Sequence, residues 1–158
     1  MNIFKSKNKI FYIKFITIIL VVILLDQISK LYLISELKLH PGYLIKVNEI
    51  FDIVYAWNYG ISFGIFTEYH QYSNYILLFI NSIIVIILLR VFSSIKILSG
   101  SLIIGGAIGN LIDRVNHGAV FDFISIHYND YYFAIFNLAD FFVCFGAMLL
   151  FFINYKTN

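Results

Sequence analysis

Residues 133–155 run FAIFNLADFFVCFGAMLLFFINY, and Asp140 is the only charged side chain among them. About 20 apolar residues cross the hydrocarbon core of a bilayer as one helix. The segment therefore predicts a membrane helix. Its aspartate needs an explanation, because a charge at the centre of a membrane helix costs roughly 2.5–3.5 kcal/mol on insertion scales. Acids in such segments usually face a cavity and have a function.

The whole chain shares this apolar character. Of its 158 residues, 61% are hydrophobic and only 13% are charged, whereas soluble domains have roughly 25% charged residues. Three more apolar segments lie at about 11–34, 74–92 and 100–116. We predict one integral membrane domain over residues 1–158, with an all-α bundle of four transmembrane helices and a small extracytoplasmic sheet or loop element. The net charge of +2 gives no indication of nucleic-acid binding.

Charge placement predicts the orientation. Basic residues lie next to the amino terminus, the loop after the second segment and the carboxyl terminus, and the positive-inside rule places these regions in the cytoplasm. The loops 35–73 and 117–132, with the acids near them, then face outward, as expected of a multi-pass membrane protein. The basic residues are Lys5, Lys7, Lys9, Lys14, Arg90, Lys96 and Lys156.

The first outward loop is too long for a simple connection. Alternating apolar residues predict short strands at 43–47 and 50–55. Asn58-Tyr59-Gly60 and Gly64 follow with residues typical of turns. In the second loop, a turn at 116–118 precedes Asp122, whose apolar neighbours predict that the loop dips into the membrane interface.

Asp122 and Asp140 are the candidate catalytic pair. Two neighbouring carboxyls cannot both ionise easily, so they share a proton. One can then activate water while the other polarises a peptide carbonyl. Starting the last helix at Phe133 puts Asp140 roughly 10 Å along it, with Asn137 on the same face as a hydrogen-bond partner. Both acids also have a structural alternative: Asp140 with Asn137 joining helices, and Asp122 anchoring its loop.

Two further polar groups allow a structural as well as a functional interpretation. Asn110, Asp113 and Arg114 are spaced to share one polar patch at the outer end of the third helix, after a Gly105/Gly109 pair typical of close helix packing. Asp26 and Lys30 are spaced as an i,i+4 ion pair on the first helix. For the patch on the third helix, a structural network is at least as well supported as catalysis. For Asp26 and Lys30, a self-neutralising ion pair and a role beside the substrate are equally well supported.

No metal site and no cofactor are predicted. The histidines His40, His70, His117 and His127 lack close metal-ligand spacing, which favours structural or surface roles. Cys144 is the only cysteine, and its apolar surroundings favour a small buried hydrophobic side chain.

Five short motifs in order resemble the prolipoprotein signal peptidase family, signal peptidase II. They extend from Asp26 to Asp140 and cover most of the chain. The sequence has Ser62 where the family more often has a small apolar residue, and we expect little effect. The motifs are Asp26-Gln27 with Lys30, Asn58-x-Gly60 with Phe63-Gly64, Gly109-Asn110-x-x-Asp113-Arg114, Val120-x-Asp122-Phe123 and Phe136-Asn137-x-Ala139-Asp140.

The resemblance implies an aspartic endopeptidase of the bacterial inner membrane that cleaves lipoprotein precursors just before a diacylglyceryl-modified cysteine. Asp122 and Asp140 would be catalytic. The expected partners are lipidated signal peptides, membrane phospholipid and a globomycin-type inhibitor that occupies the same cleft, and we expect a monomer. By the same resemblance, the substrate-binding or supporting residues would be Asn58, Gly60, Asn110, Asp113, Arg114 and Asn137, with Asp26 and Lys30 as lesser members.

Two other classes of function stay open on the residues alone. A small ion or proton carrier would use Asp26, Asp113, Asp140 and Arg114 as a relay. However, the polar residues cluster at one membrane face. A non-catalytic assembly subunit would account for the glycine pair but not for the two acids.

Overall fold

A computed structural model of the protein describes residues 9–36, 40–60, 70–91, 96–129 and 131–155. Several residues named above lie outside this range: Lys5, Lys7, Ser62, Phe63, Gly64 and Lys156. His70 begins a helix, but its side chain is not described.

The described residues form four α-helices, in agreement with the four apolar segments. They are α1 at Lys9–Leu31, α2 at His70–Val91, α3 at Ile97–His117 and α4 at Leu138–Tyr155. A single π-helical turn, Tyr32–Glu36, extends α1. Helix α3 is central, since it contacts each of the other three.

Length and hydropathy single out one helix within the described ranges. Lys9–Ser35 is long and apolar enough to cross a membrane, with 27 residues. Asn74–Arg90 and Leu138–Ile153 are shorter apolar helices. The described residues therefore contain four helices, whereas the predicted bundle of four transmembrane helices stays a prediction.

Glycines on α3 allow its neighbours to approach closely. A Cβ atom on Gly105 would lie 2.8 Å from the Val22 side chain of α1, and one on Gly109 would lie 2.7 Å from the Asp26 carboxylate. Gly106 lies against the carbonyl oxygen of Ala139 in α4 in the same way. The packing role predicted for Gly105 and Gly109 is confirmed.

Four antiparallel strands form one sheet in the spatial order β1-β2-β3-β4. Their bounds are Leu44–Lys46, Phe51–Asn58, Val120–Tyr128 and Tyr131–Phe136. The two strands predicted between residues 43 and 55 are confirmed as β1 and β2. Residues 117–132 were expected to form a loop, and this was wrong, because most of them lie in strand β3. That this region dips into the membrane interface stays a prediction.

The predicted start of the last helix was also wrong. Residues 131–136 are strand β4, paired with β3 through partners such as Ile126 and Ala134. The helix begins only at Leu138, after a reciprocal cap. The Asp140 backbone N–H donates to Asn137 Oδ1 at 2.9 Å, and the Asn137 N–H donates to Asp140 Oδ2 at 3.3 Å. Asp140 therefore lies in the first turn of α4, not two turns along a helix.

An aromatic cluster fixes one face of the sheet. Phe121 and Phe123 of β3 pack with Leu33 of the π-helical turn in a buried core. Successive residues of a strand point to opposite faces. Asp122, between the two phenylalanines, therefore points away from this core toward the helices.

Candidate active site

A cavity of about 590 Å³ lies where α2, α3 and α4 meet the sheet. Both candidate catalytic acids, Asp122 and Asp140, line it. Four of the predicted supporting residues also line it: Asn58, Gly60, Asn110 and Arg114. The remaining lining residues are Leu77, Asn81, Val120, Ala134, Ile135, Phe136, Phe141 and Cys144.

Strand β3 presents the Asp122 carboxyl, which is 3% exposed, to this cavity. Its Oδ1 accepts a hydrogen bond from Asn137 Nδ2 at 2.6 Å, and its Oδ2 accepts one from Asn58 Nδ2 at 3.0 Å. Burial raises the pKa of Asp122 to about 7, and the charge of Asp140 adds to the rise. The two amide hydrogen bonds oppose this rise. Near neutral pH this carboxyl can therefore hold or release a proton.

The first turn of α4 holds the Asp140 carboxyl. Its Oδ1 accepts a hydrogen bond from Asn110 Nδ2 at 2.8 Å, and its Oδ2 accepts the capping hydrogen bond from the Asn137 backbone. The free N–H groups at a helix amino terminus favour a negative charge. This position therefore suits an ionised carboxylate.

Asn137 connects the two acids. Its side chain is fully buried, and its Nδ2 donates both to Asp122 Oδ1 at 2.6 Å and to Asn110 Oδ1 at 3.2 Å. Asn110 in turn donates to Asp140. The two carboxyls therefore belong to one hydrogen-bond network beside one cavity.

Arg114 lines the same cavity. Its Nη2 donates to the Gly60 carbonyl oxygen at 3.4 Å, and the Gly60 N–H donates to Asn58 Oδ1 at 3.1 Å. Its Nε and Nη1 are buried and have no partner within the described ranges. An arginine fork suits paired acceptors, so these two groups remain available for acceptors outside the described residues.

Asp26, Lys30 and Asp113 form a separate buried cluster. Lys30 Nζ lies 2.8 Å from Asp26 Oδ2 and 2.8 Å from Asp113 Oδ2. The predicted i,i+4 pair of Asp26 and Lys30 is confirmed. Asp113 was expected to share a patch with Asn110, and this was wrong, because Asp113 turns toward α1 and accepts from Gln27 Nε2 at 2.8 Å.

This cluster also holds the backbone beside each candidate catalytic acid. Asp26 Oδ1 accepts from the Ala139 N–H at 3.0 Å, and Asp113 Oδ2 accepts from the Phe121 N–H at 3.1 Å. Ala139 immediately precedes Asp140, and Phe121 immediately precedes Asp122. The cluster can thus set the position of both carboxyls without lining the cavity.

The structure adds two residues that the sequence interpretation missed. Cys144 was expected to be buried but is exposed and lines the cavity, one helical turn after Asp140. Asn81 also lines the cavity, and its signal in the sequence is an amide within an otherwise apolar helix.

The histidines have the structural environments expected of them where they are described. His127 is buried with Nε2 at 3.1 Å from Asp52 Oδ2, and the His117 ring lies 5.1 Å from that of Trp57. His40 is exposed. No group of metal-ligating side chains occurs in the part of the chain that the structure describes.

Comparison with known proteins gives consistent matches. The family model described as signal peptidase (SPase) II matches residues 18–156. A lipoprotein signal peptidase of Rickettsia bellii is 48% identical over 137 residues, which are 84% of this chain and 70% of the relative. One from Rickettsia canadensis is 46% identical over 145 residues, or 89% and 74% of the two chains.

A solved structure shares the fold. It is described as a bacterial membrane enzyme solved by the in meso method at 1.9 Å resolution. Its TM-score is 0.76 at 29% identity, and the alignment covers 91% of this chain and 94% of that one.

Proposed function

The chain belongs to the signal peptidase II family, and we propose that it is an aspartic endopeptidase that removes signal peptides from bacterial prolipoproteins. Membership makes it a peptidase of a bacterial membrane with lipoprotein precursors as its substrates. The aspartic mechanism rests chiefly on one observation: Asp122 and Asp140 share a hydrogen-bond network at the edge of one cavity.

The two acids have different environments, which supports a division of roles. Asp140, at the amino terminus of α4, acts as the ionised base and takes a proton from a water molecule. The oxygen of that water attacks the scissile carbonyl carbon. Asp122, with a pKa of about 7, is protonated and donates a hydrogen bond to the carbonyl oxygen of the scissile bond. This hydrogen bond stabilises the negative charge that develops on that oxygen. When the intermediate collapses, the proton now on Asp140 passes to the leaving amine, and the two acids return to their starting states.

Polar groups around the pair are suited to hold the substrate. Arg114 Nε and Nη1 have no partner within the described residues, and in this scheme the arginine fork donates to a substrate carbonyl. Asn58 and Asn110 keep the acids oriented by donating to Asp122 and Asp140. In this scheme Asn137 holds both carboxyls, and the buried Asp26–Lys30–Asp113 cluster supports the backbone behind them.

The membrane arrangement belongs to the same proposal. Four spans, with both termini in the cytoplasm, would put the two acids at the outer face of the inner membrane. A signal peptide crosses the membrane as a helix, and the lipidated cysteine that follows it lies at that face among phospholipids. The bond before that cysteine can then reach the acids without leaving the membrane. A globomycin-type inhibitor would fill the same cavity, and the enzyme would act as a monomer.

The test is cleavage of a lipidated precursor by purified protein in liposomes, with Asp122→Asn and Asp140→Asn as variants. Both should lose cleavage. The matched control is Asp52→Asn, because Asp52 is also a fully buried acid but does not line the cavity. Substantial cleavage by either Asp122→Asn or Asp140→Asn would contradict the aspartic mechanism. Proton flux through the same liposomes would instead support the carrier alternative.

A further inference from the structure

Asn81 is a polar side chain within the apolar helix α2. It is half-buried and lines the cavity, and its amide makes no hydrogen bond to any part of the chain that the structure describes. An unpaired amide in apolar surroundings costs free energy. Polar groups kept within membrane segments commonly serve a substrate or ion path.

Asn81 lies further along the cavity than the two acids. Near the start of α2, Asn74 Nδ2 donates to the Arg114 carbonyl oxygen at 3.5 Å. Asn81 follows seven residues later, roughly 10 Å along the helix. Cys144 is likewise one turn beyond Asp140 on α4. Asn81 and Cys144 therefore line a part of the cavity that continues past the acids.

We propose that Asn81 is a positioning residue that holds the substrate backbone on the signal-peptide side of the scissile bond. The proposal rests on the proposed function and names a contact that the family motifs do not include. With the acids at the outer face, the signal-peptide side of the bond extends deeper into the membrane. Asn81 occupies that deeper part.

The chemistry of the amide fits this partner. A peptide bond that is to be hydrolysed must leave the helix, so backbone N–H and C=O groups near it lose their helical partners. In an apolar environment each group then needs a new partner. An asparagine side chain offers both two N–H donors and a carbonyl acceptor. One residue can therefore satisfy both kinds of backbone group, whatever side chains the precursor carries.

The first experiment measures steady-state cleavage of a lipidated precursor by Asn81→Leu. We expect KM to rise about 3- to 10-fold, which corresponds to the loss of one or two hydrogen bonds. We expect kcat to change by less than about twofold. The thermal midpoint should stay unchanged or rise, because leucine removes an unpaired polar group. A fall in the midpoint with unchanged KM would mean a structural role. An unchanged KM at an unchanged midpoint would also overturn the proposal.

Ser82→Ala is the matched control on the same helix. Ser82 Oγ donates to the Leu78 carbonyl oxygen at 2.7 Å, within α2 itself. Its loss should leave both KM and kcat unchanged. A rise in KM for Ser82→Ala equal to that for Asn81→Leu would assign the effect to the helix and not to the Asn81 amide.

A second experiment identifies the contact in the substrate. Precursors are made with one backbone amide at a time replaced by an ester, on the signal-peptide side of the scissile bond. For the wild-type enzyme, one or two positions should raise KM severalfold, whereas Asn81→Leu should be insensitive there. Equal losses in both enzymes at every position would contradict the contact. Failure of the proposed function is seen separately, as cleavage that survives Asp122→Asn.

Discussion

Two pairs of aspartates beside helix α3 differ in their neighbours. Asp26 and Asp113 are paired across Lys30, whose ammonium lies 2.8 Å from each carboxylate. Asp122 and Asp140 instead accept hydrogen bonds from asparagine amides and line a cavity. A cation in direct contact offsets the cost of burying a carboxylate, whereas burial without such a contact favours the protonated form. The first pair is therefore suited to structure and the second to proton transfer.

The largest predicted effect follows from exchanging charge for amide in the second pair. Asp122→Asn and Asp140→Asn should each lower the cleavage rate about 10³-fold or more, a loss of at least about 4 kcal/mol of transition-state stabilisation. Their thermal midpoints should stay within a few degrees of wild type, because asparagine keeps the shape of the side chain. Rates and midpoints are measured on the same preparations. If a variant lost activity only in proportion to its unfolded fraction, the assignment of the second pair to proton transfer would be wrong.

Lys30→Met tests the first pair. It should lower the free energy of unfolding by about 3–5 kcal/mol, the typical cost of leaving buried charges without their partner. Thermal unfolding in detergent measures the loss. Lys46→Met is the control, since Lys46 is an exposed lysine on β1, and it should change stability by less than about 0.5 kcal/mol. If Lys30→Met were as stable as Lys46→Met, the cluster would have no structural role.

Gly109→Ala tests how closely the first pair is packed. The added Cβ would lie 2.7 Å from Asp26 Oδ2 and 3.4 Å from the Ala139 Cβ. We expect a loss of stability of about 1–3 kcal/mol from overpacking. A lower kcat in the folded protein should accompany it, because Asp26 holds the Ala139 N–H beside Asp140. Gly109→Ser should lose more than Gly109→Ala, and equal stability of all three proteins would contradict the close approach.

The sequence predicts the types of residue at the site better than their directions. Asp122, Asp140 and Asn137 stand out because polar side chains are rare in apolar segments, and the structure brings them together. Periodicity along one helix cannot tell which neighbour a polar residue meets, so Asp113 was placed with Asn110 although it contacts Lys30.

The boundary between β4 and α4 shows a second limit. The run YYFAIF at 131–136 is apolar and aromatic, and such a short run suits a strand or a helix equally well. Pairing with β3 makes this run a strand, and the cap made by Asn137 and Asp140 sets the start of the helix. The exposure of Cys144 depends in the same way on the cavity beside α4 and not on its local sequence.

The smallest predicted effect is a pH dependence of the second pair that comes from Asp122. The pKa of Asp122 is about 7 in the folded protein, against roughly 3.9 in an unfolded chain. Folding therefore takes up a proton between these values. The resulting stabilisation is complete below about pH 4 and is lost as the pH rises through 7. From pH 6 to 8 the wild-type protein should lose about 1–2 kcal/mol of stability relative to Asp122→Asn, measured as diverging thermal midpoints. The cleavage rate should fall over the upper part of this range, because the proposed mechanism needs a protonated Asp122. Parallel midpoint profiles for the two proteins would show that Asp122 does not carry this proton, and the roles of the two acids would then have to be exchanged.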